Sequence, residues 1–441
     1  MIWKGGWAAL TWVSPNKQPG EPTPMNVTPR NALLQFGHIL QHVLFPAVEL
    51  ETGPLSKQLQ LIASVVSLVP LERLLSARRS WTGRPSKDRA ALVTAFIAKA
   101  VLNLPTTRDL MGRLRVDEPL RMFCGWASVK ALPHESKFSR AFAEFAATEL
   151  VQQLHAAVIE ATQRERLIGH IARDSTAILV RERYPETAEQ KKAKKGKDGK
   201  RLRFPQGGPV RLRSPQGGPV RKQAVATPGA KRKKGRHKRA KAADRGTRMQ
   251  RQRHQKLDVM LKDLPRQCDM GAKKNSQGND QYWRGYKLHL DVADGQLPIS
   301  ALLTSASVHD SQVAIPLMTM TSVRVTHLYE LMDSAYDADS IHAHSRQLNH
   351  VPIIAPHPRR GTKKPSQMQK VFPDKPTPQL SWAEQERYKT RTMSERVNAR
   401  LKDEFGASQI RVRGAAKVMA HLMFGVLALT VDQWLRMSAP G

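Results

Sequence analysis

The chain has 441 residues, enough for two or three domains and at least one sizeable core. Its 72 Lys and Arg against 37 acidic residues leave a net charge of +35, which calls for a polyanionic partner. The two cysteines, Cys124 and Cys268, exclude a disulfide framework and a cysteine metal site. They suit a reducing, cytoplasmic location, and no apolar run approaches the roughly 20 residues of a membrane span.

Residues 1–33 read as an N-terminal extension, rich in Pro, Gly and Trp up to Met25, which is itself an alternative start. The extension lacks the apolar stretch and cleavage site of a signal peptide. From 34 to 160 the apolar spacing is helical, with segments at Lys57–Val69, Lys87–Leu102, Thr107–Leu114 and Ser136–Ala157, and with Ser86 as an N-cap. This predicts an all-α domain suited to DNA binding. Within it, Gly83-Arg84-Pro85 fits a minor-groove-reading tripeptide or, more simply, a turn before a helix.

Leu167–Val180 is the first strong strand, and it carries Asp174 inside an apolar run, where an unpaired acid is costly. The pattern then collapses. Residues 187–256 hold 25 Lys and Arg against 3 acidic residues, a net +22, around the tandem repeat RLRFPQGGPV–RLRSPQGGPV. With almost no aliphatic side chains, 186–256 is expected to be a disordered basic insertion interrupting a domain composed of 161–185 and 257–441.

Order resumes with Tyr282–Val292 and Leu297–Ser307, strands flanking Ala293-Asp294-Gly295-Gln296, a hairpin signal. A helix over Asp310–Thr321 with Asp310 as cap follows, then a strand over His327–Met332 ending in Asp333. A helix over Asp337–Leu348, a strand over Val351–Ala355, a basic Pro-rich loop (357–380), a helix over Tyr388–Lys402 and an apolar helix over Ala415–Met437 complete the order. Hairpin-led strands followed by alternating helices and strands predict an α/β fold with a mixed sheet covered on both faces.

Taken as one helix, Tyr388–Lys402 places Tyr388, Arg391 and Lys402 within about 40° of Glu395. Met393, Val397 and Leu401 form a separate apolar line. Spacing alone favours a solvated, salt-bridged surface helix. Two further acids, Asp174 and Asp333, stand in or at the end of strands, where open α/β sheets collect functional groups. Three converging carboxylates need cations, and Mg²⁺ or Mn²⁺ suit oxygen ligands. Two such ions about 4 Å apart serve in-line phosphoryl displacement. Plainer roles remain open: Asp174 as a turn cap before Ser175-Thr176, Asp333 in competition with Glu330 and Asp337, Glu395 with Glu384, Glu386 and Glu404.

The chain resembles bacterial insertion-sequence transposases of the DDE class, the group marked by Tyr-x2-Arg-x3-Glu-x6-Lys, which Tyr388, Arg391, Glu395 and Lys402 match in full. The resemblance also covers Asp174-Ser175-Thr176, the run from Tyr282 and Trp283 to Lys287 and His289, His309-Asp310, and Asp333-x-Ala335-Tyr336-Asp337. It implies a ribonuclease-H-like (retroviral-integrase-like) sheet in which Asp174, Asp333 and Glu395 hold two Mg²⁺, with Mn²⁺ as substitute. The expected reaction is hydrolysis at element ends, then 3′-hydroxyl strand transfer into target DNA. Arg391, Lys402, Tyr388 and, more weakly, Lys287 and Trp283 are expected to contact DNA, with His309 and Asp310 orienting the metal ligands. The implied partners are double-stranded transposon ends and target and a second copy of the chain on DNA, near the bacterial nucleoid. Rival readings are a non-mobile nuclease on the same fold and a catalytically silent, transposase-derived DNA-binding protein.

Overall fold

The computed structural model describes residues 44–76, 88–182, 247–274, 279–356 and 380–438. The extension 1–33, Gly83-Arg84-Pro85, Ser86, most of the basic insertion and nearly all of the 357–380 loop lie outside them. The helical region comprises α1 (Phe45–Thr52), α2 (Lys57–Leu68), α3 (Leu71–Ser76), α4 (Arg89–Val101), α5 (Thr107–Val116), α6 (Glu118–Phe123), α7 (Glu135–Ala147) and α8 (Leu150–Gln163). The α4 start is capped by Asp88, whose carboxylate accepts from Ala90 N at 2.8 Å. Thr106 and Asp109 cap each other reciprocally at the start of α5.

The single helix expected over Ser136–Ala157 is two. Thr148 Oγ1 donates to Glu144 O at 2.9 Å, and Glu149 adopts φ 52°, a left-handed conformation that a helix does not continue through.

The sheet holds β1 (Leu167–Leu179), β2 (Asp269–Lys274), β3 (Asp280–Ala293), β4 (Leu297–Ser305), β5 (Thr326–Met332) and β6 (Val351–Ile354). Its order is β2-β3-β1-β5-β6, with β4 also on β3. The β3 strand runs antiparallel to β1, β2 and β4, whereas β5 lies parallel to β1 and β6 parallel to β5. The hairpin turn falls where Asp294-Gly295 predicts it, with Gly295 at φ 80° and Gln296 at φ 62°. The short β2, mixed in polarity, gave no sequence signal. Between the strands lie α9 (Arg248–Gln252), α10 (Leu257–Asp263), α11 (Ser311–Arg324) and α12 (Asp339–Gln347), followed by α13 (Trp382–Lys389), α14 (Thr392–Asp403) and α15 (Ala415–Ser438).

Two sequence expectations need correction here. Residues 247–256, read as the end of the disordered insertion, are ordered: Thr247 and Gln250 form a capping box, Arg248 pairs with Asp263 at 2.8 Å, and the buried Gln252 donates to Gln312 O of α11 at 3.0 Å. The helix expected over Tyr388–Lys402 is broken between α13 and α14. Thr390 Oγ1 and Thr392 Oγ1 donate back to Arg387 O and Lys389 O, and the joint winds through i→i−3 bonds, Arg391 N to Tyr388 O and Ser394 N to Arg391 O.

One apolar cluster runs through the helical region and the sheet alike. The α15 helix is its centre, packing on α2, α4, α7 and α8 on one side and on β4 on the other. Phe96 of α4 meets Phe138, Phe142 and Phe145 of α7 and Phe424 of α15 at ring-centroid separations of 5.0–6.4 Å. By length and composition α15 also qualifies as a membrane span, but most of it is buried inside this core.

Candidate active site

Asp174 and Asp333 are brought side by side by strand register. In the parallel β1–β5 pair Arg173 lies opposite Met332, so the residues that follow are lateral neighbours. Asp174 remains in β1, while Asp333 has left β5 to cap a short 3₁₀ turn, its Oδ1 accepting from Ala335 N at 3.0 Å. Burial is the main force pushing the Asp174 carboxyl up, to about 6, and the Asp333 charge adds to it against Arg391 and Lys273. Asp333 is raised in the same way, first by burial, then by the charge of Asp310. Both carboxyls are thus held above their usual range chiefly by burial, with Arg391 and Lys273 opposing.

The α14 helix lies against β1 and β3 and brings its buried residue Asn398 to Asp174, with Nδ2 donating to Oδ2 at 3.1 Å. Glu395 stands one turn earlier on the same helix. Its side chain is 53% exposed, and Oε1 accepts from Arg391 Nη2 at 2.6 Å. Among the described residues, Asp174, Asp333 and Glu395 are not gathered within mutual ligand distance. Arg391 lies at the α14 start with its guanidinium 5.6 Å from the centre of the Tyr388 ring, and its charge lowers the affinity of both aspartates for protons. Lys402 is pushed down by burial and by the nearby Lys273, a cation of β2 that the sequence had not singled out.

The remaining candidates sort differently from expectation. Lys287 is turned inward: Nζ donates to Asp310 Oδ1 and to Val308 O, both at 2.9 Å, so its ammonium is engaged within the fold. Trp283 is buried over Gly271, where its ring fills the space a Cβ would need, and Nε1 donates to Tyr286 O at 3.1 Å. His309 Nδ1 lies 2.8 Å from Ser311 Oγ at the start of α11. Asp310 occupies the N-cap position of α11 but makes no cap hydrogen bond, because Lys287 has taken its carboxylate. Burial would raise Asp310, yet His289, Lys287 and a hydrogen bond from Ser175 outweigh it and hold the carboxyl below its usual range.

One more group belongs here. Tyr336, three residues after Asp333, is fully buried, and its hydroxyl has no hydrogen-bond partner although the charges of Asp310, Asp174 and Asp333 all reach it. Such a hydroxyl is costly to leave unpaired. Tyr336 was visible in the sequence only as a member of the Asp333-x-Ala335-Tyr336-Asp337 run, and Asn398 only by its place three residues after Glu395.

Two family models match the chain: one described as "Transposase DDE domain" over residues 222–431, the other as "Transposase domain (DUF772)" over residues 50–144. The first includes Asp333 and Glu395, while Asp174 on β1 lies ahead of it; the second covers most of the helical region. No curated protein and no solved structure matches. With one match on the helices and the other on the sheet and its helices, the chain belongs to the insertion-sequence transposases of the DDE class.

Proposed function

We propose that this transposase hydrolyses phosphodiester bonds at the ends of an insertion sequence and joins the freed 3′-hydroxyl to target DNA, with Asp174, Asp333 and Glu395 as its acids. The observation that carries this reading is the pairing of two half-buried carboxylates, raised by burial and lying beside each other on adjacent parallel strands, under a helix that bears a third. The sheet order supports a ribonuclease-H-like fold, with antiparallel strands on one side of β1 and parallel strands on the other.

The donor set fits hard divalent ions. It is all oxygen, negatively charged, and accompanied by a buried hydroxyl without a partner. Bound Mg²⁺ or Mn²⁺, two per site in this reading, supplies Lewis-acid charge for phosphoryl transfer. Asp174 and Asp333 would hold the ions from the sheet, with Glu395 as the third acid, and Arg391, which pairs with Glu395 Oε1 at 2.6 Å, would offer its guanidinium to a phosphate beside them. Lys402 and Lys273, whose charges act on each other and on Asp174, share a DNA phosphate as counter-ion. Tyr388 offers its ring and hydroxyl to the same strand. The Lys287–Asp310–Ser175 contacts brace β1 from behind. Double-stranded DNA is the substrate, and two copies of the chain hold two ends.

Glu395→Gln and Asp174→Asn test this. Both are expected to abolish divalent-dependent nicking and strand joining on DNA carrying the element's ends while leaving DNA affinity intact. Persistence of cleavage in either variant would overturn the assignment. Cleavage without preference for the ends would make the protein a general nuclease.

A further inference from the structure

Beside the buried Arg173 of β1, three potential metal ligands meet that the transposition chemistry does not use. We propose that His327, Glu330 and His350 form a second, structural site for a divalent transition-metal ion of the zinc class.

The three ligand atoms lie within 4.8 Å of one another, and all three residues are buried. Glu330 Oε1 is 3.4 Å from His327 Nε2 and 3.7 Å from His350 Nδ1. Both distances exceed a good N–H···O bond of about 2.7–3.2 Å. They are close instead to the roughly 3.3–3.5 Å that separates neighbouring ligands around a tetrahedral ion with bonds of about 2.0–2.1 Å. The two imidazole rings lie 3.7 Å apart, centroid to centroid, and are tilted by 34° about the shared carboxylate.

The surroundings hold the donors ready. Ser345 Oγ of α12 donates to Glu330 Oε2 at 2.6 Å, fixing the carboxylate and leaving Oε1 for the ion. Arg173, the nearest cation, spends its best hydrogen bond on Asp291 at 2.7 Å and reaches Glu330 only at 3.5 Å. Nδ1 of His350 has no hydrogen-bond partner. Nor has Nδ1 of the buried His344, which feels the charges of Glu330 and His350 but lies outside the three-ligand group, so water is left to complete the coordination. Two imidazoles with one carboxylate favour zinc-class ions over the Mg²⁺ that suits an all-oxygen site. Such an ion would tie β5, three residues ahead of Asp333, to the start of β6.

The test is made on the full-length protein, stripped with chelator and dialysed against Zn²⁺, with bound metal counted by mass spectrometry. Co²⁺ loading is read by visible absorption. Expected are one tightly held zinc per chain, intense tetrahedral Co²⁺ bands, no change of either in Asp174→Asn, and a loss of affinity on the order of 100-fold in His350→Gln. No retained zinc, or full retention in a folded His350→Gln, overturns the proposal. Should that variant fail to fold, the wild-type cobalt spectrum decides: weak octahedral bands alone refute the site.

Discussion

Asn398 Nδ2 donates to Asp174 Oδ2 at 3.1 Å, bridging 224 residues of sequence between the first strand and the helix that carries Glu395. This contact sets the direction of the Asp174 carboxylate and the depth at which α14 rests on the sheet. Asn398→Ala is expected to slow single-turnover cleavage by about 10–100-fold, with DNA affinity unchanged. Equal rates in variant and wild type would make the contact incidental.

Arg173 is buried beneath the site, paired with Asp291 at 2.7 Å. Arg173→Met leaves two buried carboxylates, Asp291 and Glu330, without their cation and should cost about 3–5 kcal/mol in urea unfolding. Adding Asp291→Asn should return part of that loss. A single variant as stable as wild type would show that the network is not charged.

Lys99 of α4 is buried, and desolvation pulls its ammonium down to about 8, with Asp109 opposing. A lysine depressed in the folded state binds fewer protons there than when unfolded. Its contribution to stability therefore rises with pH, from about 8 toward the ordinary 10.5. Relative to Lys99→Met, the wild type should gain up to about 3 kcal/mol across that window. Thermal melts of both proteins at several pH values check it, and parallel curves would refute it.

The basic tract is expected to act as an electrostatic arm. Removing 187–246, which spares the capped α9 helix, should weaken nonspecific DNA binding and flatten the slope of log affinity against log salt. An unchanged slope would make the tract a passive spacer.

Much of the architecture was legible because its elements are strongly patterned. The long strands at Leu167 and His327, the Asp-Gly hairpin and the apolar α15 all appear where periodicity and turn chemistry put them. Part of what stayed hidden depends on partners distant in sequence. The polar β2 becomes a strand only by pairing with β3. The break before α14 comes from threonines that bond backward, which helix propensity does not register. Lys287 and Trp283 face inward because Asp310 and Gly271 receive them, relationships of register rather than of residue type. Asp174, Asp333 and the α14 residues were visible as candidates, while the tie between Glu395 and Arg391 was visible only as spacing.

The position of α15 has a consequence for synthesis. The helices it completes end with α8 at Gln163, while α15 begins at Ala415. On the ribosome, Phe96 and Phe142 therefore emerge long before Phe424, the ring that covers them. The growing chain carries an uncovered aromatic surface and an unfinished sheet through most of its translation. A product stopped short of Ala415 would have every candidate acid in place and still lack the wedge that holds them on one body. Premature termination should thus yield aggregation-prone material rather than a free catalytic fragment, a safeguard set by the order in which the protein is made.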